Sequence, residues 1–420
     1  MKERKVRVST AVMLVILTVV TTFNITFFAA TDYYNRKLDG LAEMEARYSK
    51  LKTVAEIVEK HFVAEYDEQE AIEYALMGYV DGLGDVWSAY YTAEQTAQIE
   101  EDEANTYVGI GVTYSTEPEH LYELTAVTAG GPADQAGLLP GDKLVAVDGT
   151  ALADLPADQD VADLVKGESG TVVNITVSRD GAEMTFACTR AAIRVYSTSA
   201  RMLEGNIGYI SISDFDSGVH EEFAEHLIQL KTQGARGYIF DVRNNPGGYL
   251  SVMHDILDGL LPEGIVITTV DKAGNETPFT SDYHWIEMPM AVLTNEYSVS
   301  AAEFFAAALQ EYGVATVVGG QTSGKGYSQQ TFMLEDGSSV HISTTRYYTP
   351  KGNSLAETGV TPDRVVEMPL EDIYSLASGK LADADDEQLQ AAIAILNQEI
   401  AELPVEETGE QTGEATTPAA

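Results

Sequence analysis

Between residues 207 and 348 the chain alternates short apolar, β-branched runs with amphipathic stretches, and this alternation leaves few folds open. Strand patterns at 207–213, 237–242 and 290–294 are followed by helical patterns at 219–231, 250–261 and 301–312. The runs 314–318 and 340–348 continue the series. Strand–helix–strand units close onto a shared sheet through right-handed crossovers, so residues 191–370 are expected to form an α/β layer.

Residues 107–190 obey a different rule: short alternating strands separated by glycine turns. Gly131-Pro132-Ala133-Asp134-Gln135-Ala136-Gly137 reads as a short helix entered at the proline and stopped by the glycine. The stretch AGLLPGDKLVAVDG then gives a turn, a strand and a second turn. This region is similar to a bacterial-type PDZ domain. Such a domain adds a peptide strand to a sheet edge and holds the terminal carboxylate with loop amides, a task that falls here to Gly109, Ile110 and Gly111.

At the amino end, Lys2, Arg4, Lys5 and Arg7 precede residues 8–30, which carry no charge. That run exceeds the roughly 20 residues a bilayer crossing needs, and the basic flank predicts a cytoplasmic tail at 1–7. A cleaved signal peptide fits less well, because Phe27 and Phe28 stand where small residues are wanted. The expected location is therefore the cell membrane, single-pass, with everything from Asp32 outside the cytoplasm.

Residues 31–106 read as a helical amino-terminal region. Leu41, Met44, Tyr48, Leu51, Val54, Val58 and Phe62 mark an apolar stripe that serves equally as a stalk, a homodimer seam or a face packed on its own domain. A further helix at 71–80 stops at Gly82-Leu83-Gly84-Asp85. Residues 371–403 read as a helical extension, and 404–420, rich in Glu, Thr and Pro, as disordered.

Charge and cysteine content exclude whole classes. A formal net charge of -41 argues against a nucleic-acid partner, which a lysine- and arginine-rich face would have to meet. The single cysteine, Cys188, permits no intrachain disulfide and no thiolate-rich metal site, and its alternating neighbourhood assigns it to a strand. No metal or cofactor is expected.

Two segments carry chemistry. Ser300, in Asn295-Glu296-Tyr297-Ser298-Val299-Ser300-Ala301-Ala302-Glu303, lies where a strand gives way to an alanine-rich helix. A serine there is either a helix cap or a nucleophile on a sharp turn, with helix amides ready for an oxyanion. Lys325 sits in the glycine-rich loop Gly319 to Gly326. It can act as a general base only when neutral, so burial must lower its pKa from about 10.4 toward roughly 7 to 8. The loop also fits the start of a phosphate-binding motif, but position 326 is glycine where a magnesium-binding Ser or Thr is required, and 329–332 reads as a strand. The histidines His220, His226, His254, His284 and His341 come with no G-x-S-x-G elbow.

Together these segments resemble the carboxy-terminal processing proteases. Asp241-Val242-Arg243-Asn244-Asn245-Pro246-Gly247-Gly248, the Asn295–Glu303 segment, Gly324-Lys325-Gly326, Arg346-Tyr347-Tyr348-Thr349-Pro350-Lys351-Gly352 and Gly359-Val360-Thr361-Pro362-Asp363 carry the resemblance. Gly82 to Asp85, with Ser88 and Tyr90, matches more weakly. The resemblance implies a crotonase/ClpP-like α/β protease core with an inserted PDZ domain.

It also implies acyl transfer, with Ser300 as nucleophile, Lys325 as base and Gln329 assisting the lysine. The oxyanion would meet the amide of Ala301 and one from the Gly247-Gly248 pair, Gly247 first. Tyr297, Val299 and Ala302 depart from the family's usual Gly, Ala and Ser. Protein substrates with exposed carboxy-terminal tails are the implied partners, and a PDZ module that gates the cleft is implied with them. The alternative is a catalytically inactive PDZ-bearing scaffold; retention of both Ser300 and Lys325 favours the enzyme.

Overall fold

The structure, a computed structural model, describes residues 8–103, 106–116, 120–156, 160–282 and 284–403. The basic segment 1–7 and the tail 404–420 lie outside the described residues. The chain forms two compact units, Met1–Ala75 and Leu76–Ala420.

In the first unit the apolar run and the stalk form one continuous helix, Val8–His61, of 54 residues. No break separates the two parts, and the joining segment contains no proline. Its part Val8–Tyr33 is long and apolar enough to cross a membrane. Two of the polar residues that dilute this run satisfy themselves within the helix. Thr18 Oγ1 donates to the Leu14 carbonyl and Asn24 Nδ2 to that of Val20, both at 2.8 Å. Such back-bonding is what a polar side chain needs in a hydrocarbon environment.

The second unit contains the β-rich segment and the α/β layer. In the β-rich segment, the short helix is Pro132–Ala136, with proline in its first turn and Gly137 ending it at φ 94°. A four-stranded sheet encloses a core that includes Ile110, Leu124, Val173, Ile175 and Cys188. Burial pushes the Cys188 thiol up to about 11, so it behaves as a small apolar side chain. The segment enters and leaves through two strands, Thr106–Gly109 and Ala191–Arg194, which pair antiparallel with each other.

The α/β layer holds a six-stranded sheet in the order Thr198–Leu203, Ile207–Ile212, Gly237–Asp241, Met290–Thr294, Ala315–Gly319, Arg364–Val365. The first pair is antiparallel and the rest are parallel. Gly237–Asp241 and Met290–Thr294 are buried along their whole length, as central parallel strands covered on both faces must be. The two-residue strand period sorts their side chains. Tyr238, Phe240, Met290 and Val292 face the helices Val219–Thr232, Leu250–Asp258 and Ala301–Tyr312. Ile239, Ala291 and Leu293 face the helix Glu387–Glu402. Phe240 has Phe223, Phe305 and Tyr238 around it at 5.3, 5.9 and 6.1 Å between ring centroids.

A second, antiparallel sheet is built on the strand Ser339–Tyr348, which pairs with Ala89–Tyr91, Gly264–Asp271 and Tyr327–Met333. The chain that follows the Lys325 loop is thus a strand, and the phosphate-loop reading fails for want of its helix.

Candidate active site

The strand Met290–Thr294 delivers the chain to a turn stitched to the loop after Gly237–Asp241. Asn295 Oδ1 accepts from the Asn244 and Tyr297 N–H groups at 3.0 and 3.1 Å, and Asn295 Nδ2 donates to Asn244 Oδ1 at 2.8 Å. Ser298 Oγ donates to the Val242 carbonyl at 2.7 Å, and the Val299 N–H to that of Asn245 at 2.9 Å. With its polar groups paired, this turn holds Ser300 at φ 56° and ψ -117°. Ser300 stands at the N-cap of the helix Ala301–Tyr312, with Glu303 closing back on its N–H, yet a capping serine ordinarily adopts extended backbone. The positive φ instead marks a strained strand-to-helix turn, of the sort that costs on the order of 1–3 kcal/mol and persists only where its surroundings enforce it.

Gly247 presses against this turn. A Cβ at Gly247, whose φ is 117°, would lie 2.9 Å from Ser300 Cβ and 3.2 Å from the Ala301 nitrogen. Only glycine permits that approach. The Gly247 N–H itself donates to Asn245 Oδ1 at 2.7 Å in this state. Ala301 opens its helix, so its N–H has no intrahelical acceptor and adds to the positive end of the helix dipole.

Glu303, fully buried, joins the serine turn to the lysine loop. Its Oε2 accepts from the Ser300 and Lys325 backbone N–H groups at 2.8 and 2.9 Å. Its Oε1 accepts from Thr322 Oγ1 and the Gly324 N–H, both at 2.6 Å. Burial pushes this carboxyl above the ordinary range, and the hydrogen bonds it accepts oppose that shift. Sequence reasoning did not single out Glu303, although the S-x-x-E spacing from Ser300 was the signal available.

Lys325 is half-buried, and burial holds its amine below the usual lysine value against the opposing charges of Asp85 and Glu303. Among the described residues, the structure shows no hydrogen bond between the Lys325 amine and the Ser300 hydroxyl. The amine lies 4.4 Å from the ring centroid of Trp87. Gln329 Nε2 donates to the Tyr327 carbonyl at 3.1 Å and to Ser343 Oγ at 3.0 Å, so its amide is engaged away from the lysine. The lysine loop opens onto a cleft of about 920 Å³ lined by Asp85, Trp87, Gly324, Tyr327, Ser343 and others.

Three of these histidines have other occupations: His254 contacts Asp255 and the Thr280 carbonyl, His284 contacts Asp282, and His341 contacts Thr331. Behind the Asn244–Gly248 loop, Arg243 is sandwiched between two buried carboxylates. Its Nη2 lies 2.6 Å from Asp241 Oδ2 and 2.8 Å from Asp386 Oδ2. Asp386 also caps the helix Glu387–Glu402 through the Leu389 N–H.

A second cavity, of about 370 Å³, lies in the β-rich segment, lined by Ile110, Gly111, Val112, Ala162, Val165 and Lys166 among others. Two of the three expected carboxylate-loop residues, Ile110 and Gly111, border it. The third, Gly109, is paired with Ala191 of the exit strand.

Comparison with known proteins agrees with this architecture. The model of Peptidase family S41 matches residues 206–366, and that of the PDZ domain matches residues 123–179. The carboxyl-terminal-processing protease of Synechocystis sp. is 35% identical over 311 residues, which cover 72% of this chain and 71% of that protein. A Staphylococcus epidermidis protein named "Probable CtpA-like serine protease" is 30% identical over 362 residues, covering 85% and 73%. A Bacteroides fragilis protein whose crystal structure is described as that of a "Putative S41 protease" shares the fold at a TM-score of 0.52 and 16% identity, over 80% of this chain and 92% of that one. With a PDZ domain set into a mixed α/β protease, the chain belongs to peptidase family S41, the serine proteases of the carboxyl-terminal-processing type.

Proposed function

We propose that this protein is a membrane-anchored, extracytoplasmic endopeptidase that cuts protein substrates near their carboxy termini with a Ser300–Lys325 dyad on a crotonase/ClpP-like core. The observation that carries the reading is the shared Glu303 carboxylate, which ties the strained serine turn to the half-buried lysine loop. Ser300 Oγ attacks the scissile carbonyl while its proton passes to Lys325 Nζ, and the amide of Ala301, with one from the Gly247-Gly248 pair, stabilises the oxyanion. The lysine returns that proton to the leaving amine, and water then hydrolyses the acyl-enzyme. For this the amine must leave Trp87 and reach the hydroxyl, a tightening that substrate-free sites commonly require. Gln329 assists once its amide turns from Ser343 to the lysine.

The PDZ cavity takes the substrate tail, with apolar Ile110, Val112 and Val165 around the last side chain and loop amides at the carboxylate. The helix Val8–His61 anchors the protein through its first part, and its later part offers a seam for a homodimer. The inactive scaffold is disfavoured, since a binding module has no use for a serine held at a strained φ beside a glycine pair.

The test compares wild type, Ser300→Ala and Lys325→Ala on an unstructured peptide with a free or an amidated carboxy terminus. Loss of cleavage in both variants, and a preference of wild type for the free terminus, are expected. Full cleavage by Ser300→Ala would overturn the mechanism, and indifference to amidation would overturn tail recognition.

A further inference from the structure

Trp87 comes from the turn that precedes the strand Ala89–Tyr91, far from Lys325 in sequence, yet its ring lies against the lysine amine at 4.4 Å. That ring is anchored through its own backbone. The Trp87 N–H donates to Asp85 Oδ1 at 3.2 Å. Ser88 Oγ donates to Asp85 Oδ2 and accepts from the Ser343 N–H at 3.1 Å. Ser343 Oγ in turn accepts from Gln329 Nε2 at 3.0 Å, on the strand that follows the lysine loop. A chain of hydrogen bonds therefore ties the Trp87 backbone to the strand that follows the lysine loop.

We propose that Trp87 is a positioning residue for the candidate base: its indole face seats the Lys325 amine and helps set the pH at which that amine becomes neutral. This rests on reading Lys325 as the base, and it assigns a task to a residue outside the serine and lysine segments. An aromatic face attracts an ammonium and not a neutral amine, so the seat favours the protonated lysine. The carboxylates of Asp85 and Glu303 act in the same sense, and burial acts against all three. Asp271, Lys272, Arg346 and Glu357 are the other charged groups lining the cleft. The seated lysine is the resting, protonated form, and departure from the ring both frees the amine to reach Ser300 and lowers its proton affinity.

The sign of the effect follows from what replaces the ring. Leucine at position 87 keeps apolar cover over the amine and removes the face, so the amine should lose its proton at lower pH. Phenylalanine keeps a weaker face and should give a smaller shift in the same direction.

The experiment measures the rate at which a fluorophosphonate modifies the full-length protein in detergent, followed from neutral to alkaline pH. The midpoint should fall by about 0.4 to 1 pH unit in Trp87→Leu and by less in Trp87→Phe. Should Trp87→Leu fail to fold, as judged by thermal melting, the Phe variant alone decides. A midpoint that stays in place or rises in a folded variant overturns the proposal. Lys325→Ala separates this failure from that of the dyad. If it reacts like wild type, the base assignment falls; if it loses the titration while the Trp87 variants keep the wild-type midpoint, only the seat falls.

Discussion

Ser300 and Lys325, held on different elements, donate their backbone N–H groups to one oxygen, Glu303 Oε2, at 2.8 and 2.9 Å. The carboxylate thereby ties the two main chains together, while the lysine amine is placed separately, against Trp87.

Glu303→Gln tests this bridge. The amide keeps the shape but presents an NH2 group to two buried donors, each of which costs about 1–3 kcal/mol when unsatisfied. We expect a lower melting temperature and at least a tenfold loss of kcat/KM with little change in KM. Equal loss of stability with unchanged kcat would show that the bridge serves folding alone.

Gly247→Ala should abolish peptide hydrolysis, because the new methyl would come within 2.9 Å of Ser300 Cβ. Gly234→Ala is the matched control: φ is 94° and a Cβ there meets nothing within 4 Å. That variant should show only the conformational penalty, about 1–2 kcal/mol, in chemical denaturation, with activity retained.

Arg243 and its two carboxylates should respond unequally to truncation. Asp386→Ala removes one partner and a helix cap while leaving the Asp241–Arg243 pair, for a loss of about 2–3 kcal/mol. Arg243→Ala leaves two buried carboxylates without their cation and should cost more, about 3–5 kcal/mol. Urea denaturation of both variants checks the order; the reverse order would contradict it.

In the PDZ domain, hydrogen bonds from the Arg179 guanidinium hold the buried Asp142 carboxyl below the ordinary carboxylate range. A folded pKa below the unfolded value adds stability that is fully present above about pH 4 and is lost as pH falls through the folded pKa. Amide protection factors along Val172–Arg179, each referred to the intrinsic exchange rate at that pH, should therefore fall in acid, and Asp142→Asn should be less stable at neutral pH with a flatter acid response. A wild-type acid profile in that variant would rule out the linkage.

Much of the fold was legible in short windows of sequence. The short helix Pro132–Ala136 follows from proline and glycine punctuation, and the strands Gly237–Asp241 and Met290–Thr294 follow from unbroken apolar runs. The hairpin Gly264–Asp271 and Glu276–Ser281 was not legible, because threonine-rich strands with mixed burial lack both alternation and a continuous apolar run. The continuity of the helix Val8–His61 was not legible, because its apolar character changes along its length while its backbone does not.

What the sequence determined by itself was the class of each element, the β-rich insertion and the residue types Ser300 and Lys325, since periodicity, turn chemistry and motifs act over a few neighbouring residues. Only the tertiary structure decided which distant groups meet. Glu303 reaches the lysine loop because the strands Met290–Thr294 and Ala315–Gly319 are parallel neighbours. Trp87 lies under the amine because Ala89–Tyr91 pairs with Ser339–Tyr348. Asp386 finds Arg243 because its helix covers the second face of the same sheet. Each contact depends on strand order and layer stacking, which fold through long-range burial and leave no mark at any single position of the chain.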